Sequence, residues 1–132
     1  LYIYPQAASL LFAYRRQGAK LILITGQDEV MAKAYADALG LYFVIGNRFE
    51  LDAGKITGLV KPLCYGQGKV EMAKAFVKKQ GFELSEAVFY SDSHADLPLL
   101  DAVNQPVVLN PNRQLAELAI QRGWPRVDWR KS

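Results

Sequence analysis

The sequence predicts a doubly wound α/β fold with a mostly parallel sheet, and three observations carry that prediction. Segments 20–25, 42–45, 87–90 and 106–109 are short and strongly apolar, the pattern of strands covered on both faces. Stretches with apolar residues at helical spacing alternate with them, several closed by a glycine. Side chains suited to holding a ligand stand at the ends of two of the strands, Thr25 closing the first and Asp92 just past the third. In open α/β sheets, ligands bind outside the carboxyl ends of the strands.

The elements follow in order. Leu1, Tyr2, Ile3 and Tyr4 are apolar or aromatic, and Pro5 ends them. A helix is expected over 5–17, since proline suits a first helical position, Leu10, Leu11 and Tyr14 share a face, and Gly18 stops it. Residues 20–25 contain four consecutive apolar residues, Leu21 to Ile24, and read as a buried parallel strand. Asp28 and Glu29 suit the start of a second helix, which runs to Leu39 and stops at Gly40. After the strand at 42–45, Asp52-Ala53-Gly54-Lys55 has hairpin chemistry within an excursion over 49–59. Residues 61–68 read as a loop, and a third helix covers about 69–80, with Val70, Ala73, Phe76 and Val77 facing the core. A strand at 87–90, a helix over about 96–103, a strand at 106–109 and a helix over 113–121 complete the alternation. Gly123-Trp124-Pro125 ends the last helix, and 126–129 adds a short edge strand.

The chain has 132 residues, the size of one domain with a real core, and a single domain over 1–132 is expected. Its 51% apolar and 22% charged residues are ordinary for a water-soluble globular protein. The net charge is +3 and the pI about 9.0, but the basic residues are scattered, with a loose group at Arg122, Arg126, Arg130 and Lys131. No basic run interleaved with aromatics points to nucleic acid, and no apolar run reaches the length of a membrane span. The one cysteine, Cys64, cannot form an internal disulfide and lacks a CxxC or histidine partner. It reads as a small packed residue in a reducing, cytoplasmic setting.

Three places could carry chemistry. Thr25-Gly26 puts a hydroxyl at a strand end ahead of backbone N–H groups, which suits an anion; the plainer role for Thr25 is to cap the second helix. Gly66-Gln67-Gly68-Lys69 is not a Walker A loop, because the glycine spacing is wrong and Val70 follows the lysine. A lysine in a first helical turn opposes the helix dipole, so it calls for a bound phosphate or a carboxylate partner. Asp92 and Asp96, four apart after a strand, could hold a divalent cation through oxygen ligands; Asp96 could equally cap the helix that Pro98 starts. His94 between them reads as solvated, or as supporting a ligand without being one, since one histidine and one cysteine are too few ligands for zinc.

Taken in order, a hydrophobic strand with Thr25 at its end, Lys69 opening a later helix, and a strand followed by Asp92 and Asp96 resemble motifs II, III and IV of the haloacid dehalogenase-like hydrolases. The likeness is nearest to their phosphoserine-phosphatase-like branch. Segments like Leu39-Gly40 leading to Val44-Ile45-Gly46, Asp52-Ala53-Gly54-Lys55-Ile56-Thr57-Gly58, Tyr65-Gly66-Gln67-Gly68-Lys69-Val70 and Tyr90-Ser91-Asp92-Ser93 recur there in this order. So does an ending like Asn110-Pro111 through Gly123-Trp124-Pro125, and the resemblance covers essentially the whole chain. It implies a Rossmann-like core and a Mg²⁺-dependent phosphomonoester hydrolase for a small phosphorylated metabolite, such as phosphoserine or histidinol phosphate. By the same resemblance Thr25, with Gly26, holds the transferring phosphoryl group, and Lys69 neutralises its charge and that of the nucleophile. Asp92 would ligate Mg²⁺, and Asp96 would orient Lys69 or metal-bound waters. Such parts suit phosphoryl transfer, which is mainly positioning and electrostatic stabilisation of negative oxygens.

The sequence departs from the family in one respect. The family's nucleophile lies in an Asp-x-Asp-x-Thr motif at the end of a first, central strand, and no such motif occurs in these 132 residues. A helical cap inserted after that strand is missing as well. Without that strand, its two neighbours, ending at Thr25 and at Tyr90, would present open edges. The expectation is therefore a C-terminal core, inactive alone, of a longer phosphatase. A non-catalytic phosphate- or metabolite-binding module is the rival. A third account has the chain re-form its sheet, with 1–4 as the central strand or by swapping strands between protomers in an edge-paired homo-oligomer.

Overall fold

The computed structural model describes residues 4–59 and 61–130. The expected strand role for 1–4 lies outside the described residues, Tyr4 excepted. The chain falls into two compact units, Leu1–Cys64 and Tyr65–Ser132.

The first unit opens with α1 (Pro5–Arg16), whose proline sits in the first turn. Gly18 follows at φ 80°, a left-handed conformation that only glycine adopts without cost. β1 (Ile22–Asp28), α2 (Glu29–Leu39) and β2 (Phe43–Asn47) form a parallel unit, with Ile22, Leu23 and Ile24 paired to Phe43, Val44 and Ile45. Ala32 and Ala36, one helical turn apart, are buried; Ile45 and Leu41 are buried in the same unit. Gly40 closes α2 in the left-handed conformation, and the Arg15 guanidinium donates to its carbonyl at 3.0 Å. A cation at a helix C-terminus is favoured by the dipole. β3 (Phe49–Asp52) and β4 (Lys55–Leu59) make the expected antiparallel hairpin. Its two turn residues, Ala53 and Gly54, both have positive φ, as a two-residue turn matched to strand twist requires.

The second unit contains α3 (Gly66–Lys79), β5 (Val88–Ser91), α4 (Leu97–Ala102), β6 (Gln105–Leu109), α5 (Arg113–Arg122) and β7 (Arg126–Val127). The strands form a parallel sheet in the order β5-β6-β7. Its core is Leu100 of α4, Val108 of β6, and Leu115 and Ala119 of α5, with Phe89 and Trp124 packed against them. Asn112 caps α5 through a bond from Leu115 N–H, and Gly123 ends it in the left-handed conformation. Pro106 is tolerated inside β6 because of its parity. Val108 and Asn110 donate toward the segment of β7, to Pro125 and Val127, so the N–H that Pro106 lacks would face the same side, before β7 begins.

The α/β class with parallel sheets is as the sequence predicts. Boundaries differ where local chemistry was ambiguous. The third helix begins at Gly66 rather than 69, so two glycines read as loop are helical. The first strand runs on past Thr25 to Asp28. Among the described residues β1 pairs only with β2, and β5 only with β6. No helix of the described residues is long and apolar enough to cross a membrane.

Candidate active site

The second unit brings Lys69 and Asp96 together. Lys69, the fourth residue of α3, is buried, and its ammonium lies 2.7 Å from Asp96 Oδ1. The other carboxylate oxygen, Oδ2, accepts from the Ser91 hydroxyl at 2.6 Å. Ser91, last residue of β5, is itself buried and accepts from Ser93 N–H at 3.1 Å. Ser93 in turn accepts from Ala95 N–H, capping the short 3-10 turn His94–Asp96. Two serines thus fold the strand-to-helix connection back so that Asp96 meets a lysine 27 residues earlier.

These contacts decide between roles that the sequence left open. Asp96 occupies the N-cap position of α4, yet its side chain makes no capping bond; both carboxylate oxygens are taken by Lys69 and Ser91. The capping role is therefore not the one it plays. Of the two partners that Lys69 called for, a carboxylate is present. One N–H of its ammonium goes to Asp96, leaving two donors without a protein partner among the described residues.

Asp92 lies just beyond β5 and is exposed, with no side-chain partner among the described residues. His94 is exposed as well. A Mg²⁺ ion takes oxygen ligands in near-octahedral array, often one or two carboxylates with waters and substrate phosphate. Asp92 has the right chemistry but supplies one carboxylate, and Asp96 is engaged. No group of three His, Cys, Asp or Glu side chains able to hold a metal occurs among the described residues. The donors present therefore do not make a cation site by themselves.

The first unit places Thr25 in a bulge. Ile24 pairs with Ile45 and Asp28 with Asn47, so Thr25, Gly26 and Gln27 lie opposite Gly46 alone. Such close packing needs a glycine: a Cβ on residue 46 would lie 3.0 Å from Gln27 O and 3.2 Å from Glu29 Cα. Thr25 Oγ1 accepts from Gln27 N–H at 3.1 Å. It does not cap α2; Asp28 does, accepting from Met31 N–H at 2.9 Å. Gly26, expected to present an amide directly to a helix start, is instead three residues ahead of Glu29, and its carbonyl accepts from Asn47 Nδ2 at 2.8 Å. The buried Asn47 also accepts from Cys64 N–H at 2.7 Å. Cys64 is fully buried, as its reading as a packed residue required.

Two of these residues had no assigned role in the sequence. Ser91 could have been suspected as a small polar residue closing an apolar strand before Asp92. Asn47 carries the same signal after Val44-Ile45-Gly46.

Residues 1–101 match the family described as haloacid dehalogenase-like hydrolase. A probable phosphatase of Mycobacterium tuberculosis is 35% identical over 93% of this chain and 43% of its own length. A phosphoserine phosphatase of the same organism is 35% identical over 86% of this chain and 37% of its own. The chain thus spans less than half the length of these two relatives. Among solved structures, a protein of unknown function from Bordetella pertussis superposes with TM-score 0.87 at 30% identity, over 94% of this chain and 57% of that one.

Proposed function

The chain belongs to the haloacid dehalogenase-like hydrolases, and from that premise we propose that it is core machinery of a Mg²⁺-dependent phosphomonoester hydrolase in the cytoplasm. Its substrate would be a small phosphorylated metabolite such as phosphoserine or histidinol phosphate. What supports the reading is the buried Lys69–Asp96 pair at the end of β5, next to the exposed carboxylate of Asp92.

Each residue has a physical task in that reaction. Lys69, held by Asp96, offers its two remaining N–H groups to phosphoryl oxygens and offsets their charge from a buried position. Because Asp96 fixes the ammonium beforehand, little reorganisation is needed as charge moves onto those oxygens. Thr25 donates its hydroxyl proton to a phosphoryl oxygen, beside Gly26. Asp92 is the carboxylate this chain would bring to Mg²⁺, which supplies further charge neutralisation when bound. The attacking carboxylate is not among these groups, since the chain contains no Asp-x-Asp-x-Thr. We therefore propose that the 132 residues are an incomplete, inactive part of the enzyme. The same feature favours a second reading, a binding-only module that takes phosphate without turnover.

A phosphatase assay with Mg²⁺ separates these. We expect no turnover of p-nitrophenyl phosphate or phosphoserine by the 132 residues. The protein expressed from the whole reading frame that encodes them should turn over, and lose activity on Asp92→Asn. Turnover by the 132 residues alone, abolished by Asp92→Asn, would overturn the claim that the nucleophile lies elsewhere. Phosphate binding without turnover in both forms would establish the binding module instead.

A further inference from the structure

A peptide unit is planar and rigid, so fixing its carbonyl also fixes its N–H. The unit joining Gly26 to Gln27 is held at both ends. Its carbonyl accepts from Asn47 Nδ2 at 2.8 Å, and its N–H donates to Thr25 Oγ1 at 3.1 Å. The Asn47 amide can sit only one way round, because its other end accepts from Cys64 N–H at 2.7 Å. Asn47 is buried, whereas Gly26 and Gln27 are exposed. The buried members of this chain of bonds, Cys64 and Asn47, therefore orient the exposed peptide unit.

We propose that Asn47 is a positioning residue that fixes the Thr25 hydroxyl through the Gly26–Gln27 peptide, a role that rests on reading Thr25 as a hydrogen-bond donor to the phosphoryl group. A threonine hydroxyl has one proton and two lone pairs. With one lone pair engaged by Gln27 N–H, the oxygen is anchored and its proton is left for a ligand oxygen. The bulge carries the half-buried Thr25 out of register with β2, beside the exposed Gly26 and Gln27. Asparagine is the fitting residue, since one end must donate to a carbonyl and the other accept from an N–H. Aspartate keeps the second bond but sets a carboxylate oxygen against Gly26 O.

The test uses Asn47→Asp, Thr25→Val and their combination in the protein from the whole reading frame, with kcat and KM measured separately. Asn47→Asp should lower kcat about tenfold with KM little changed, as misplacement of a reacting-site donor does. In the Thr25→Val background the same change should cost nothing more. Gln27→Pro, which removes the N–H donor from an exposed position, should reproduce the loss; it carries the test if Asn47→Asp does not fold. Scalar couplings of Thr25 in the 132-residue chain should report one rotamer in the native sequence and averaging in Asn47→Asp and Gln27→Pro. An equal loss of kcat with and without the Thr25 hydroxyl, or a Thr25 rotamer unmoved by both variants, overturns the proposal. Full turnover by Thr25→Val, with its rotamer still released by Asn47→Asp, upholds the link from Asn47 and sinks the reading of Thr25 itself.

Discussion

Lys69 Nζ lies 2.7 Å from Asp96 Oδ1, and the two side chains are only 8% and 14% exposed. Pairs at this depth behave unlike surface salt bridges. Each ion has lost most of its hydration, and the pair persists because the partner and the Ser91 hydroxyl replace it.

Removing one charge should accordingly be costly. Asp96→Asn leaves a buried ammonium without a counter-charge, and the expected loss of folding stability is about 3–5 kcal/mol. Replacing both, as Lys69→Met with Asp96→Leu, should recover most of that loss, because two apolar side chains of similar bulk need no hydration. Urea denaturation of the single and double variants checks this. Losses that simply add would mean that the two residues do not act as a pair.

Asp92 should behave in the opposite way. It is exposed and without a side-chain partner among the described residues, so Asp92→Asn should shift stability by no more than about 0.5 kcal/mol. Loss of activity from the whole-reading-frame protein at unchanged stability would mark its carboxylate as functional. A fall in the urea midpoint comparable to that of Asp96→Asn would instead mark it as structural.

The difference between these two aspartates shows where sequence reading works and where it stops. The strands at Ile22–Asp28 and Phe43–Asn47 were legible because covered parallel strands are runs of branched apolar residues. Gly40 and Gly123 were legible as helix ends because their left-handed conformation suits glycine. For Asp96 the local residues left capping and cation binding equally open, and only the family resemblance pointed to Lys69. The actual partners of Asp96, 27 and 5 residues away, depend on how α3 packs beside α4, the helix that Asp96 precedes. Capping was misallotted in the first unit, where Asp28 and not Thr25 caps α2. Thr25 and Asp28 are both suitable types, and only the length of the bulge decides which one reaches the helix.

That allotment can be tested directly. Asp28 Oδ1 accepts from Met31 N–H, so Asp28→Ala should cost about 1 kcal/mol and increase exchange of the Met31 amide. Thr25→Val makes no difference to that bond and should leave Met31 protected. Equal loss of Met31 protection in the two variants would return the capping role to Thr25.

Ser91 joins the strand end to the ion pair, and its removal separates packing from positioning. Its hydroxyl donates to Asp96 Oδ2 and accepts from Ser93 N–H, and Ser91→Ala leaves both groups unpaired. The expected cost is roughly 1–3 kcal/mol, of which only the bond to Asp96 depends on that carboxylate's charge. In an Asp96→Asn background the bond to Ser93 remains to be lost, but the charged acceptor is already gone. Ser91→Ala should therefore cost less there than in the native chain, and urea denaturation of the four proteins measures the difference. An undiminished cost would mean that Ser91 serves the turn alone and does not hold Asp96 toward Lys69.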